Sequence, residues 1–246
     1  MATQTEALRQ PVSTRQYERV FYLSMSLAFL IIVFAGFART FFLRPRFETQ
    51  PLIPLLQLHG FVFSSWLLLF TVQTSLVTAR RIKTHMRLGI AGVVIATLMV
   101  IIGTITAIIR AKIIQTPPGS PSPLVFLTIP LGDMLVFAVL ASSGFYFRRR
   151  PDIHKRLMLL ATIGILPAAV ARIPLDFFQQ GGPLVFFGMT DLLILPCLLF
   201  DIVTRGRPHR ATLLGGLLLV ASHPLRLIVG GTSLWLAFAT WITQWS

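Results

Sequence analysis

Seven apolar stretches, parted by short polar connections, fill almost the whole of this chain. An α-helix needs ~20 mostly apolar residues to cross ~30 Å of hydrocarbon. Helices satisfy their own backbone groups, which lipid cannot do for them. The pattern predicts an all-α, polytopic transmembrane helix bundle with spans over about 17–42, 52–78, 86–113, 124–147, 152–175, 184–204 and from about 211 onward. A seventh helix continuing to Trp245 would be ~50 Å long at 1.5 Å per residue, too long for a bilayer. Gly230 and Gly231 are therefore expected to break it, leaving 233–245 as a short interfacial segment. Trp235, Trp241 and Trp245 lie in that segment, as an aromatic belt requires. The predicted organisation is a cytoplasmic tail over 1–16 and a single seven-helix domain over 17–246.

Composition closes off other classes. Only 12% of residues are charged, against ~25% in soluble domains, so a folded soluble chain could not cover its surface. The spans leave no room for a separate soluble domain. The net charge of +14 could suggest nucleic acid, but the basic residues lie in clusters between apolar runs. Anionic headgroups at the cytoplasmic loops are the expected partner, and nucleic acid is not. The lone Cys197 excludes a disulfide within the chain and any cysteine-based metal motif, and no metal site is expected. The first apolar run is longer than the core of a cleavable signal peptide.

Basic residues also orient the bundle. The tail and the even-numbered connections hold fifteen Lys and Arg, among them Arg80, Arg81, Lys83, Arg148, Arg149, Arg150, Arg205 and Arg207, whereas the opposite side holds five. The positive-inside rule then places the N-terminus in the cytoplasm, and an odd number of spans places the C-terminus outside. Two of these connections repeat a pattern: Arg80-Arg81-Ile82-Lys83-Thr84-His85-Met86-Arg87-Leu88 matches Arg149-Arg150-Pro151-Asp152-Ile153-His154-Lys155-Arg156-Leu157. Either three related hairpins follow a first helix, or basic loops have converged on one chemistry.

Half of the eight acids, Asp133, Asp176, Asp191 and Asp201, fall within or at the ends of predicted helices. A charge there costs ~2.5–3.5 kcal/mol on insertion scales, so such groups face the interior and find partners. His59, Arg172, Asp176, Asp191, His223 and Arg226 share the outer half by depth: His59 is ~10 Å and His223 ~12 Å from the outer face. They are the predicted ligand-binding set, converging on an outward cavity for a small polar molecule, ion or proton. Arg172–Asp176, four apart on one helix face, and Arg226–Asp191 are the first contacts expected. Asp133 lies nearer the middle and Asp201 near the inner end, apart from the set. Pro130, Pro167, Pro196 and Pro224 interrupt helices four to seven and free carbonyls that a cavity can satisfy. The competing reading makes these charges packing devices of a structural or assembly partner. No motif names a reaction or a catalytic residue.

The histidines allow a different chemistry. His85 and His154 share an inner depth, and His59 and His223 an outer one. Two bis-histidine pairs would hold two b-type haems, with basic side chains meeting the propionates. This arrangement is similar to the di-haem transmembrane cytochromes that pass electrons from ascorbate. In that family the ligands lie within the spans, whereas His85 and His154 stand at the boundary.

Three stretches carry a second resemblance: Val33-Phe34-Ala35-Gly36-Phe37-Ala38 with Leu43-Arg44-Pro45; Leu58-His59-Gly60 through Trp66, Gln73 and His85-Met86-Arg87-Leu88-Gly89; and His154-Lys155-Arg156-Leu157-Met158-Leu159-Leu160-Ala161-Thr162. With Pro224-Leu225-Arg226 they span most of the chain. The sequence resembles an uncharacterised family of bacterial multi-spanning, seven-helix inner-membrane proteins. The resemblance implies a bacterial cytoplasmic (inner) membrane and a self-contained bundle, and supplies no activity.

Overall fold

The computed structural model describes residues 10–47, 51–114 and 122–244. Residues 1–9 of the predicted tail, Glu48, the Pro117–Pro121 stretch and Trp245 lie outside the described residues. Among the described residues seven helices are long and apolar enough to cross a membrane: α1 Gln16–Phe42, α2 Pro54–Thr78, α3 Ile82–Ile113, α4 Pro123–Arg149, α5 Pro151–Val170, α6 Gly182–Arg205 and α7 Arg210–Gly230. A further helix, α8 Ser233–Gln244, follows. The α7–α8 break falls at Gly230 and Gly231, as expected from the length limit.

Proline sets the interruptions with a common rule. A proline ring collides with the carbonyl four residues earlier and offers no N–H in return. The first helical piece of α4 ends at Phe126, four before Pro130. In α5 the first piece ends at Ile163, four before Pro167, and in α6 at Leu192, four before Pro196. Only α7 runs continuously through its proline, Pro224. Two expected boundaries are corrected. The fifth helix ends at Val170 rather than near 175, because the chain from Ala171 is irregular up to a one-turn helix, Asp176–Gln180. The third begins at Ile82 rather than 86, which draws His85 into its first turn.

The short α5 is the most enclosed span. Leu159, Leu160, Ala161, Ile163 and Leu166 are fully buried, packed with Phe29, Met99, Phe137 and Leu219 from four other helices. Trp66 of α2 donates to Thr162 Oγ1 at 3.2 Å and meets Phe137 edge-on. Gly36 lets α1 approach α5's last turn: a Cβ there would lie 2.8 Å from the Ala169 carbonyl carbon. Outside this core, Ile31, Leu68, Ile90, Leu135, Leu184, Val203, Leu217 and Ile228 point away from the protein. A water-soluble chain does not expose apolar area on that scale; lipid accepts it. The chain is an integral, multi-pass membrane protein.

Polar contacts define two ends. Lys155 meets Glu18 at 2.8 Å, His209 meets Asp152 at 3.2 Å, and the His85 and His154 rings touch. The start of α1 and the connections before α3, α5 and α7 therefore gather at one "basic end". At the opposite "far end", α8 lies against α3 and α4, with Ala239 buried and Trp235 Nε1 donating to the Leu124 carbonyl at 2.8 Å.

Candidate functional site

One polar cluster within the spans is built by α4, α6 and α7. On α7, Ser222, His223 and Arg226 are spaced to share one side of the helix. Arg226 Nη1 pairs with Asp133 of α4, and its Nη2 donates to Ser222 Oγ at 3.0 Å. His223 Nδ1 lies 3.2 Å from Asp191 Oδ2 of α6. One ring separates the two pairs: His223 stacks on Phe187 with centroids 4.1 Å apart, and Arg226 lies over the same ring at 5.7 Å. Gly132 makes the space, since a Cβ there would stand 2.6 Å from Arg226 Cδ. His223, Arg226 and Asp133 are buried, while the Asp191 side chain keeps 24% of its surface exposed. Two buried nitrogens, His223 Nε2 and Arg226 Nε, have no hydrogen-bond partner.

Three of the six expected residues, Asp191, His223 and Arg226, therefore meet, with Asp133 as a fourth. The partners differ from expectation. Arg226 pairs with Asp133 and not Asp191, because α7 packs closely on α4 beside Gly132 while His223 occupies Asp191. Nor does Arg172 pair with Asp176. The four-residue rule presupposes a continuous helix, and the chain leaves helical geometry between them. Arg172 instead donates to the Ala168 carbonyl at 2.6 Å and lies over Phe37, 5.2 Å from its centroid, and Asp176 is exposed. His59 stacks on Phe63 at 4.1 Å and has a buried, unpartnered Nδ1.

The two histidine pairs divide. His85 and His154 come together, centroids 6.4 Å apart with planes 74° to one another. His154 Nδ1 lies 2.8 Å from the Gly144 carbonyl. A carbonyl only accepts, so Nδ1 carries the proton and Nε2 is left with a lone pair. His85 Nδ1 and Gln73 Oε1 are buried without hydrogen-bond partners. His59 and His223 do not face one another among the described residues. Equal depth left their azimuth open: α2 packs on α1 and α3, whereas α7 packs on α4 and α5, and each ring stacks on a different phenylalanine.

A third cluster, at the basic end, was hidden in the sequence. Arg156, read there as one more loop cation, is 3% exposed and is clamped by Asp201 of α6. Its Nε donates to Asp201 Oδ1 at 2.9 Å and its Nη1 to the Asp152 carbonyl at 2.7 Å. Asp201 Oδ2 also accepts from Thr212 Oγ1 at 2.5 Å and from the His209 N–H at 3.1 Å. His209, between α6 and α7, caps α7 through Nδ1 and reaches Asp152 through Nε2. The available signal was the pairing of an intramembrane Asp201 with a basic neighbour of matching depth. Its repeat counterpart Arg87 is exposed, so the pattern alone gave both arginines the same reading.

Among the described residues no group of three or more His, Cys, Asp or Glu could hold a metal ion. No family model, curated protein or solved structure matches the chain.

Proposed function

We propose that this is a bacterial inner-membrane protein, N-terminus inside and C-terminus outside, that binds a small polar solute, ion or proton at the Asp133–Arg226–His223–Asp191 cluster. Of these ligands the geometry favours the proton. The observation that carries this reading is His223, which is buried, paired through Nδ1 to the partly exposed Asp191, and left with an unpartnered Nε2. Asp191 offers a route for a proton to the ring. Asp133 and Arg226 are the other charges facing it, and they largely offset each other. The orientation rests on the asymmetry of basic residues, and the bacterial membrane on the resemblance drawn above.

Proton-release measurements on the purified protein in neutral detergent test the reading. After a pH jump, the wild type should take up about one proton more than H223Q, and D191N should alter that uptake. Identical uptake by the wild type and H223Q would overturn it. Reporter fusions after Ser246 and in the 148–152 connection test the orientation, expected outside and inside respectively.

A second reading has its own observation. His85 and His154 are adjacent, and the His154 Nδ1–Gly144 bond leaves Nε2 available as an axial ligand. These two residues fit the ligation of one b-type haem, with Arg81 and Arg150 of the same repeat as candidates to meet its propionates. The separation of His59 from His223 does not fit a second haem. Bound haem would supply one-electron transfer. A reduced-minus-oxidised b-band in the purified protein, lost in H154A, supports this reading; a colourless protein expressed with haem supplied removes it.

A further inference from the structure

The short connection between α6 and α7 is pinned through its backbone and closed by one side chain. Gly206 ends α6 in the left-handed conformation, φ 71°, with its N–H bonded to the Ile202 carbonyl at 2.8 Å. The His209 N–H donates to Asp201 Oδ2 at 3.1 Å, and the His209 carbonyl accepts the Leu213 N–H at 3.0 Å. The His209 ring is the N-cap of α7: its Nδ1 lies 3.0 Å from the Ala211 nitrogen. A backbone N–H only donates, so Nδ1 holds a lone pair and Nε2 carries the proton. Nε2 accordingly donates to Asp152 Oδ2 at 3.2 Å. Both ring nitrogens are engaged, and they tie the start of α7 to the first turn of α5.

A histidine cap differs chemically from the usual ones. Ser, Thr, Asp and Asn are the common N-caps, and their oxygens go on accepting in mild acid. In this molecule α4 is capped that way, with Ser122 Oγ accepting from the Leu124 N–H at 3.3 Å. The proton that an imidazole takes up goes instead to Nδ1, the atom that accepts here. Two donors, Nδ1–H and the Ala211 N–H, would then face one another. Asp201 cannot receive the new donor, because Oδ2 already accepts from Thr212 and the His209 N–H, and Oδ1 from Arg156. Asp152, whose side chain is half exposed, is the carboxylate that attracts an imidazolium. The charged groups about the ring are Asp152 and Arg156 of α5, Asp201 and Arg205 of α6, and the exposed Arg207 and Arg210 on either side in the chain. Burial and Arg156 hold the proton off the ring, and Asp152 draws it on. We propose that His209 is an acid-sensitive latch on α7. Neutral, the ring caps the helix; protonated, it leaves Ala211 and pairs with Asp152 alone. The first turn of α7 then loosens while the backbone of the connection stays anchored on Asp201. The latch stands apart from the His223 cluster and does not rest on the function proposed for it.

Hydrogen–deuterium exchange of the full-length protein in neutral detergent tests this. It is measured at about pH 7.5 and about pH 5, across the range in which imidazoles titrate, and corrected for the intrinsic pH dependence of exchange. Loss of an ordinary N-cap changes the opening of a first turn about fivefold. The amides at the start of α7 should lose about that much protection in acid, and those at the start of α4, under Ser122, should not. H209N supplies a cap that does not titrate and should keep the protection at both pH values. D152N should need a lower pH for the same loss. Unchanged protection at the start of α7, or a loss matched by the start of α4 or by H209N, would overturn the proposal. Should H209N fail to fold, the comparison of α7 with α4 in the wild type decides.

Discussion

Among the described residues two arginines are buried, and they are held in opposite ways. Arg156, at the basic end, binds Asp201, and that carboxylate is further saturated by Thr212 and the His209 N–H. Arg226, within the spans, binds Asp133, but its Nε and the neighbouring His223 Nε2 are left without partners. Buried polar groups are normally paired, and a fully connected network fixes a structure, whereas an orphaned group calls for another explanation. The first network ties α5, α6 and α7 together at one end. The second leaves two buried nitrogens unpartnered, which is the basis of the function proposed above.

The sharpest way to break this comparison is to remove the carboxylate from the saturated network. D201A leaves Arg156 buried without a counter-charge, which typically costs ~3–5 kcal/mol, so a large fall in unfolding temperature and in folded yield is expected. If D191A lowers thermal stability as far as D201A does, the distinction fails. A smaller effect is expected at Gly132, where a side chain must displace Arg226: overpacking of this kind costs ~1–3 kcal/mol. G132V should show that loss in a thermal melt, and G188V, which has open space around it, should not. Smaller still, D191N should cost about 1 kcal/mol or less, as for one ordinary hydrogen bond.

The weakest effect lies at the rim of the saturated network. His209 is held below its usual pKa, first by burial and then by the nearby Arg156, with Asp152 pulling the other way. The folded protein therefore binds this proton less readily than the unfolded chain. Stability is complete above about pH 6.5, the ordinary histidine value, and declines as the pH falls below it. Removing Asp152 in D152N should deepen the acid-side loss, by less than about 1 kcal/mol because the carboxylate is half exposed. Melting curves at neutral and mildly acidic pH read this directly, and a loss on the alkaline side would contradict the assignment.

The spans were legible because length and hydropathy are local properties. The break after Val170 was harder to see: it falls four residues before Pro174, by the same rule that ends the first piece of α5 at Ile163, four before Pro167. Depth was also legible: Asp191, His223 and Arg226 do meet. Azimuth was not. Whether Arg226 turns to Asp133 or Asp191 is decided by the close α4–α7 approach at Gly132, and a single sequence carries no sign of which helices adjoin. The same gap separated His59 from His223. Arg156 was missed because it stands beside loop cations, yet the first turn of α5 carries it inward to Asp201.

The central claim is that the unsaturated cluster exchanges a proton while the saturated one only holds the fold. Nitrogen-15 NMR of histidine-labelled protein tests it most directly, with His223 assigned by its loss in H223Q. The account predicts that the His223 ring N–H exchanges with water, that D191N slows this exchange, and that D152N at the other end leaves the rate in place. A His223 N–H that does not exchange, or one slowed equally by D152N and D191N, would contradict it.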